Sequence, residues 1–126
     1  KKFVIVKVIN ARSFNMAKNV AFSVANSPLF KTAMAAEDPN WGRIVMGIGK
    51  SGEKISPEKI EIKIGDFKVA EKGRIAEGID EKKIKEYMAW DSIVVEINLK
   101  IGQAHYECYT CDFTKDYISI NADYRS

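Results

Sequence analysis

The chain has 126 residues, of which 46% are hydrophobic and 29% are charged, and its formal net charge is +3. This composition suits one globular domain with its own core and excludes an intrinsically disordered chain, which would combine low hydrophobicity with high net charge. No stretch reaches the roughly 18 apolar residues of a membrane-spanning helix. Two cysteines are too few for a disulfide scaffold, which favours a reducing, cytoplasmic setting.

The basic residues are spread along the chain rather than clustered. Sixteen of the 20 are lysines, and they alternate with glutamates, as in Glu58-Lys59-Ile60-Glu61-Ile62-Lys63. A surface that follows a phosphate backbone would gather Lys and Arg on one face. We therefore expect no nucleic-acid partner, and likewise no membrane partner.

The first quarter of the chain predicts a strand followed by a helix. The run from Phe3 to Ile9 is apolar and β-branched, as in a strand that is buried on at least one face. No initiator Met precedes it, which suggests that the chain begins inside a larger product. Apolar residues then recur at helical spacing between Ala17 and Val24. Ser13 is the predicted N-cap, and Ser27-Pro28 is predicted to end the helix.

A second helix is predicted after a mixed, unassigned segment at residues 29–36. Asp38 is its predicted N-cap, and Pro39 takes the first helical position. An apolar stripe follows at i, i+3, i+4 and i+7; its members are Trp41, Ile44, Val45 and Ile48. Gly42 and Gly47 inside this short helix indicate the close approach of another backbone, and Gly49 is predicted to close the helix.

In the second half of the chain the hydrophobic period changes from 3.6 to 2. Residues 60–69 predict a β-hairpin around Gly65-Asp66, and residues 73–78 predict a loop. Residues 80–88 predict a short helix. Strands are then predicted at residues 93–101, which Gly102-Gln103 turns back, at 104–113 and at 117–121. The mixed order of elements predicts a single α+β domain whose sheet is mainly antiparallel or mixed, with helices packed on one face.

Cys108-Tyr109-Thr110-Cys111 has the spacing of a redox or half-zinc motif. The segment is predicted as a strand, however, where residues three apart point to opposite faces. His105 is the sole histidine, so no second histidine completes a metal site. We therefore expect two isolated thiols, a structural histidine and no metal. The glycines of 47–52 lack the spacing and strand-to-helix order of a phosphate loop and fit a helix end better.

Three segments carry a resemblance to a known family. They are Ser27-Pro28-Leu29-Phe30-Lys31-Thr32-Ala33, Asp38-Pro39-Asn40-Trp41-Gly42-Arg43-Ile44, and the last sixteen residues, Cys111-Asp112-Phe113-Thr114-Lys115-Asp116-Tyr117-Ile118-Ser119-Ile120-Asn121-Ala122-Asp123-Tyr124-Arg125-Ser126. In this order they resemble the end of the ornithine acetyltransferase family, also called bifunctional glutamate N-acetyltransferases. The resemblance covers almost the whole chain.

The resemblance implies a place within a larger enzyme. Family members move an acetyl group from N-acetylornithine to glutamate in arginine biosynthesis, and some also use acetyl-CoA. Their precursor cleaves itself before a threonine, which becomes the nucleophile of the second, beta chain. By this resemblance, residues 1–126 are the C-terminal domain of the beta chain. The nucleophile is absent from this sequence, so we expect no activity from the chain alone.

The resemblance also implies partners and site residues. The partners would be the alpha chain and the N-terminal part of the beta chain in a hetero-oligomer, with N-acetylornithine and glutamate as small-molecule substrates and no cofactor. Asn121 and Ser126 match the two family residues that contact substrate, although the family usually ends in Thr. Four further polar or aromatic candidates are interpreted as structural or interface residues; these are Asp38, Asn40, Trp41 and Arg43. The alternative function is a non-catalytic binding or interaction module for acyl-amino acids.

Overall fold

Between residues 2 and 111, the part of the chain that the computed structural model describes, six strands form one mixed sheet against which four α-helices pack. The strands are β1 (Phe3–Ala11), β2 (Glu61–Ile64), β3 (Phe67–Glu71), β4 (Arg74–Ile75), β5 (Ser92–Asn98) and β6 (Ala104–Cys111). The helices are α1 (Phe14–Ala25), α2 (Pro28–Ala35), α3 (Trp41–Gly49) and α4 (Glu81–Met88), and a 3₁₀ turn spans Pro57–Lys59. The predicted α+β class is confirmed.

The strand order in the sheet is β4-β3-β2-β5-β1-β6. β1 lies parallel to β5, with Phe3 opposite Ser92, and antiparallel to β6, with Phe3 opposite Cys111. The other strand pairs are antiparallel. A parallel pair needs a long crossover, and here the three helices α1 to α3, the β2–β3 hairpin and α4 all lie between β1 and β5 in the sequence.

One face of the sheet is buried and the other is not. Because side chains alternate along a strand, β1 and β5 each send every second residue to the buried face; these are Val4, Val6, Val8, Ile93, Val95 and Ile97. β2 adds Ile62 and Ile64 to the same layer. We call this side the helix face, since α1 packs on β1 and β6 there. We call the other side the open face.

Two serines begin the first two helices. The Ser13 side chain accepts a hydrogen bond from the Met16 backbone N–H at 3.1 Å, which confirms the predicted N-cap of α1. Ser27 caps α2 in the same way, and Pro28 takes its first position. The segment 29–36, left unassigned from the sequence, is therefore helical. Ser27-Pro28 starts a new helix two residues after α1 has ended, because a proline at the first helical position misses no hydrogen bond.

The predicted cap of α3 was wrong by two residues. The side chain of Asn40, rather than that of Asp38, accepts from the Arg43 backbone N–H at 3.2 Å, and the helix begins at Trp41. Asp38 and Asn40 are both good N-caps, so the sequence offered two starts. Ile44 and Ile48 are buried, as the apolar stripe predicted.

The hairpin, α4 and β5 match the sequence prediction closely. Gly65 takes a positive φ of 60° in the turn between β2 and β3. Asp80 caps α4, and Ile84 is buried beneath it. Tyr87 extends from α4 to the sheet, where its hydroxyl accepts a hydrogen bond from the Val94 N–H at 2.9 Å.

The partner of β6 differs from the prediction. Gly102-Gln103 does not turn β5 back upon itself; instead residues 99–103 pass the end of β1, and β6 pairs with β1. The N–H of Leu99 donates to the Ile9 carbonyl, and a Cβ at Gly102 would overlap the Ala11 carbonyl oxygen. The predicted loop at 73–78 contains the short strand β4. The predicted strand at 117–121 lies outside the described residues.

The close approach of another backbone predicted at the glycines of α3 is confirmed at Gly47 but not at Gly42, where a Cβ would meet only the Asn40 side-chain oxygen. A Cβ built at Gly47 would lie 3.1 Å from Cα of Val24 on α1, and the Ser23 hydroxyl donates to the Gly47 carbonyl at 2.6 Å. The backbones of α1 and α3 therefore meet at this point.

This contact predicts the effect of enlarging Gly47. Gly47→Val should lower the free energy of unfolding by about 1–3 kcal/mol, because the added methyl groups overlap the α1 backbone. Gly49→Val is the matched control, since nothing lies within 4 Å of a Cβ at Gly49 in the same helix. Urea denaturation monitored by circular dichroism measures both. Equal destabilisation by the two variants would contradict the assigned contact.

Candidate functional site

The two predicted site residues, Asn121 and Ser126, lie outside the described residues. Cys111, the last described residue, is in β6, and its register partner is Phe3, the first residue of β1. Asn121 and Ser126 follow Cys111 in the sequence. The Phe3–Cys111 pair lies at one end of these two strands. We call this place the β1–β6 end of the sheet.

Two helix ends are tied to the β1–β6 end. The Lys2 ammonium lies 3.3 Å from the Glu37 carboxylate, just after α2, and donates to the Trp90 carbonyl, just after α4, at 3.2 Å. The Phe3 N–H donates to the Asp91 carbonyl at 2.8 Å. The Lys2 side chain is only 12% exposed. These contacts hold the first residues of β1 against the ends of α2 and α4.

The two internal segments of the family resemblance form one corner of the domain. The Ser27–Ala33 segment lies at the start of α2, and Asp38 to Ile44 leads into α3. The Arg43 guanidinium donates to the Leu29 carbonyl at 3.1 Å and thereby joins the two segments. Asn40 caps α3. These contacts give Asn40 and Arg43 structural roles, in line with the interpretation of the sequence. Lys31 on α2 is the one charged side chain among residues 2–111 that is buried.

The open face carries an apolar row next to the β1–β6 end. Ile5 of β1 lies opposite Val94 of β5 and Tyr109 of β6. Phe3 precedes Ile5 by two residues and therefore lies next to it on the same face of β1. The exposed fractions of Phe3 and Tyr109 are 59% and 72%. We call these four residues the apolar row. Large exposed apolar surfaces of this kind are typical of places that another protein segment covers.

The role of the apolar row was not predicted from the sequence, although the sequence contains a signal for it. The run Phe3-Val4-Ile5-Val6 is apolar at every position rather than at every second one. Continuous apolar runs are typical of strands that are covered on both faces. The helix face accounts for Val4 and Val6 only.

Further along the open face the apolar row gives way to charges. Lys7 of β1 lies opposite Glu96 of β5 and Glu107 of β6, so that unlike charges face each other across three strands. Beyond them Glu61 lies 2.9 Å from the Lys100 ammonium and 3.3 Å from that of Lys68. The hydrogen bond from Lys100 is the main cause that lowers the pKa of Glu61 below its ordinary value. The open face thus has an apolar half, at the β1–β6 end, and a charged half.

The two cysteines are free and lie on opposite faces of β6, as predicted. Cys108 is opposite Val6 on the helix face, whereas Cys111 is opposite Phe3 on the open face. Burial raises the pKa of the Cys108 thiol to about 11. Neither a mutual disulfide nor a shared metal fits this arrangement.

The part of the chain that the structure describes contains neither a cluster of metal ligands nor a helix that could span a membrane. Among residues 2–111, no three His, Cys, Asp or Glu side chains form a group that could hold a metal ion. His105 is exposed on the surface of β6. The glycines of 47–52 lie at the end of α3 and in the turn that follows, as predicted. Within residues 2–111 there is no helix with the length and apolar character needed to cross a bilayer.

The fold and the apolar row define a class of structure, an α+β domain with one sheet face covered by its own helices and one left open. Comparison with known proteins gives the family. The model of the ArgJ family matches residues 1–126. The arginine biosynthesis bifunctional protein ArgJ of Brucella melitensis biotype 1 is 44% identical over 126 residues, and that of Ruegeria pomeroyi is 46% identical over 125 residues. The chain therefore belongs to the ArgJ family.

A solved structure shows the same fold. The crystal structure of arginine biosynthesis bifunctional protein argJ from Bacillus halodurans matches with a TM-score of 0.91 and 35% sequence identity, over 98% of this chain. The match covers 58% of that chain. In the Brucella and Ruegeria relatives the chain spans 30% and 31% of the length. The domain thus corresponds to one part of a longer protein in each relative.

The opposite placement of the two thiols predicts selective labelling. At about pH 8 a thiol reagent should modify Cys111 and leave Cys108 unmodified, because only a thiolate reacts and a raised pKa keeps Cys108 protonated. Labelling of Cys108 should rise only as the pH approaches 11. Mass spectrometry of the chain, with Cys108→Ser and Cys111→Ser as controls, measures both sites. Equal labelling, or a Cys108–Cys111 disulfide after mild oxidation, would show that the strand assignment is wrong.

Proposed function

We propose that residues 1–126 are the C-terminal domain of the beta chain of a glutamate N-acetyltransferase that moves acetyl from N-acetylornithine to glutamate in the cytoplasm. Support comes from membership of the ArgJ family and from relatives that are named arginine biosynthesis bifunctional proteins. The proposal makes this domain one wall of a composite active site. The threonine nucleophile belongs to the remainder of the protein, so the chain alone transfers no acetyl group.

One observation carries the proposal. The described part of β6 reaches Cys111, opposite Phe3, at the end of the sheet where the apolar row lies on the open face, and the segment with Asn121 and Ser126 follows Cys111 in the sequence. A remainder of the protein that covers this half of the open face would therefore lie next to the start of that segment. In relatives of which this chain spans about 30%, such a remainder exists.

The chemistry of the two residues suits substrate binding. An asparagine side chain offers a donor and an acceptor without being ionised, so Asn121 is able to bond both the acetyl carbonyl and an amide N–H. Ser126 keeps the hydroxyl of the threonine that usually ends the family sequence. The acyl transfer itself is a two-step reaction through a covalent acyl-enzyme, in which positioned hydrogen-bond donors stabilise the developing oxyanion.

The role of Asn121 is tested in the complete polypeptide that contains this chain. Asn121→Ala should lower kcat/KM for acetyl transfer from N-acetylornithine to glutamate by about 2- to 10-fold, the cost of one neutral hydrogen bond. Asn19→Ala, an exposed position on α1, is the matched control and should leave the rate unchanged. Equal rates for both variants would remove Asn121 from the site. Substrate binding with no turnover by the complete protein would favour the alternative, a non-catalytic module.

The apolar row predicts a second, independent effect. Phe3→Ser should weaken association of the domain with the remainder of the protein, because it removes an apolar side chain from the covered half of the open face. Phe14→Ser is the control; Phe14 is 57% exposed, against 59% for Phe3, but lies on α1, where its ring contacts Tyr106.

The measurement is co-purification of the separately expressed domain and remainder, quantified by analytical ultracentrifugation. Loss of the complex with Phe3→Ser and its retention with Phe14→Ser would support the proposed interface. The reverse pattern would place the interface on the helix side of the domain.

A further inference from the structure

A cleft of about 410 Å³ lies at the corner where α3 begins, away from the open face of the sheet. Its lining includes Pro39, Trp41, Val69, Ile75, Ile79 and Glu81. Val69 is buried, Trp41 and Ile79 are half-buried, and Ile75 and Glu81 are exposed. Most of the residues that line the cleft are therefore apolar, and Glu81 is the one ionisable side chain among them. We call it the Trp41 cleft. Its volume falls within the range of small-molecule sites.

The two polar side chains that line the cleft differ in whether another residue of the protein already binds them. Asn40 also lines it, but its side-chain oxygen accepts from the Arg43 N–H, and its nitrogen lies 3.5 Å from the Asp38 carboxylate. The Asn40 side chain is therefore engaged within the protein. Glu81, in contrast, forms no ion pair with any residue between 2 and 111. No lysine or arginine is among the lining residues.

We propose that the Trp41 cleft binds a small alkylammonium or alkylguanidinium compound, whose apolar stem lies on Val69 and Ile79 and whose cationic head lies between the Trp41 indole and the Glu81 carboxylate. A cation is attracted to the face of an indole ring, and tryptophan is the most effective side chain for this contact. The Glu81 carboxylate also attracts the cation. An anionic compound of the same size is repelled by this carboxylate.

The roles already assigned to these residues do not account for the cleft. Capping explains Asn40, and an acidic residue in the first turn of α4 favours that helix. Neither requires a half-buried indole beside a cleft whose one carboxylate forms no ion pair within residues 2–111. The proposal is independent of the proposed acetyl transfer, since it concerns neither the β1–β6 end nor Asn121 and Ser126.

The test follows the two tryptophan indole N–H signals of the chain by NMR during titration with pentylammonium and butylguanidinium. Pentanoate and 1-pentanol, which have similar stems but no positive charge, serve as matched probes. The Trp41 signal should shift with the two cations and not with the other two compounds, whereas that of Trp90, which is outside the cleft, should not move. Trp41→Leu and Trp90→Leu assign the two signals.

Glu81→Gln should weaken binding of both cations by about three- to fivefold, the effect of one ion pair at an exposed rim. Glu86→Gln, an exposed glutamate on the same helix that does not line the cleft, should leave the affinity unchanged. Because Glu81 is exposed, its variant is not expected to unfold the chain. Equal effects of the two variants would overturn the proposal, as would equal binding of pentanoate.

The same titration on the complete polypeptide tests whether the Trp41 cleft is still open to a small molecule there. Binding to both proteins would support a small-molecule site. If the cations bind the chain but not the complete polypeptide, the remainder of the protein closes the cleft, and the proposed small-molecule site is wrong.

Discussion

The pairing of β1 with neighbours on both of its edges is the constraint on which the rest of the domain depends. β5 lies parallel on one side and β6 antiparallel on the other, so the backbone N–H and C=O groups of β1 are used within the sheet. The parallel pair requires a long crossover, and the helices that pack on the sheet are carried in it. The antiparallel pair sets Phe3 beside Cys111, the last described residue. Helix packing at Gly47 and the end contacts of Lys2 then hold this arrangement in place.

The same pairing gives the domain two unlike faces. On the helix face, the valines of β1 and the isoleucines of β5 form the centre of the core. On the open face, an apolar half lies next to the β1–β6 end, and the paired charges of Lys7, Glu96 and Glu107 lie beyond it. A charged half is well solvated by water. Covering the exposed apolar half with another protein segment, in contrast, lowers the free energy of the protein. This asymmetry supports the interpretation of the chain as one wall of a larger ArgJ-family protein rather than as a self-contained binding module.

Local signals in the sequence predicted most of the elements but not how the strands pair. Apolar residues at helical spacing mark α1 and α4, and the Gly65-Asp66 turn has alternation on both sides, so these two helices and the hairpin were predicted well. Asp38 and Asn40 are both good N-caps, so the sequence did not decide where α3 starts, and Pro28, which was predicted to end α1, begins α2.

The parallel β1–β5 pair depends on contacts between residues almost 90 positions apart, which periodicity does not report. Asn121 and Ser126 were assigned by resemblance alone, and they lie outside the described residues. The apolar row was visible as an unbroken run from Phe3 to Val6, yet its significance depended on knowing that the helices cover only one face.

A crystal structure of the complete polypeptide with N-acetylornithine bound would show both the substrate site and the neighbours of the open face. We expect the Asn121 amide to lie within about 3 Å of a polar atom of the substrate, the distance of a hydrogen bond. We also expect the remainder of the protein to cover Phe3, Ile5 and Tyr109 on the open face. A structure in which Asn121 lies away from the substrate while the apolar row remains exposed to solvent would show that this domain is not a wall of the active site.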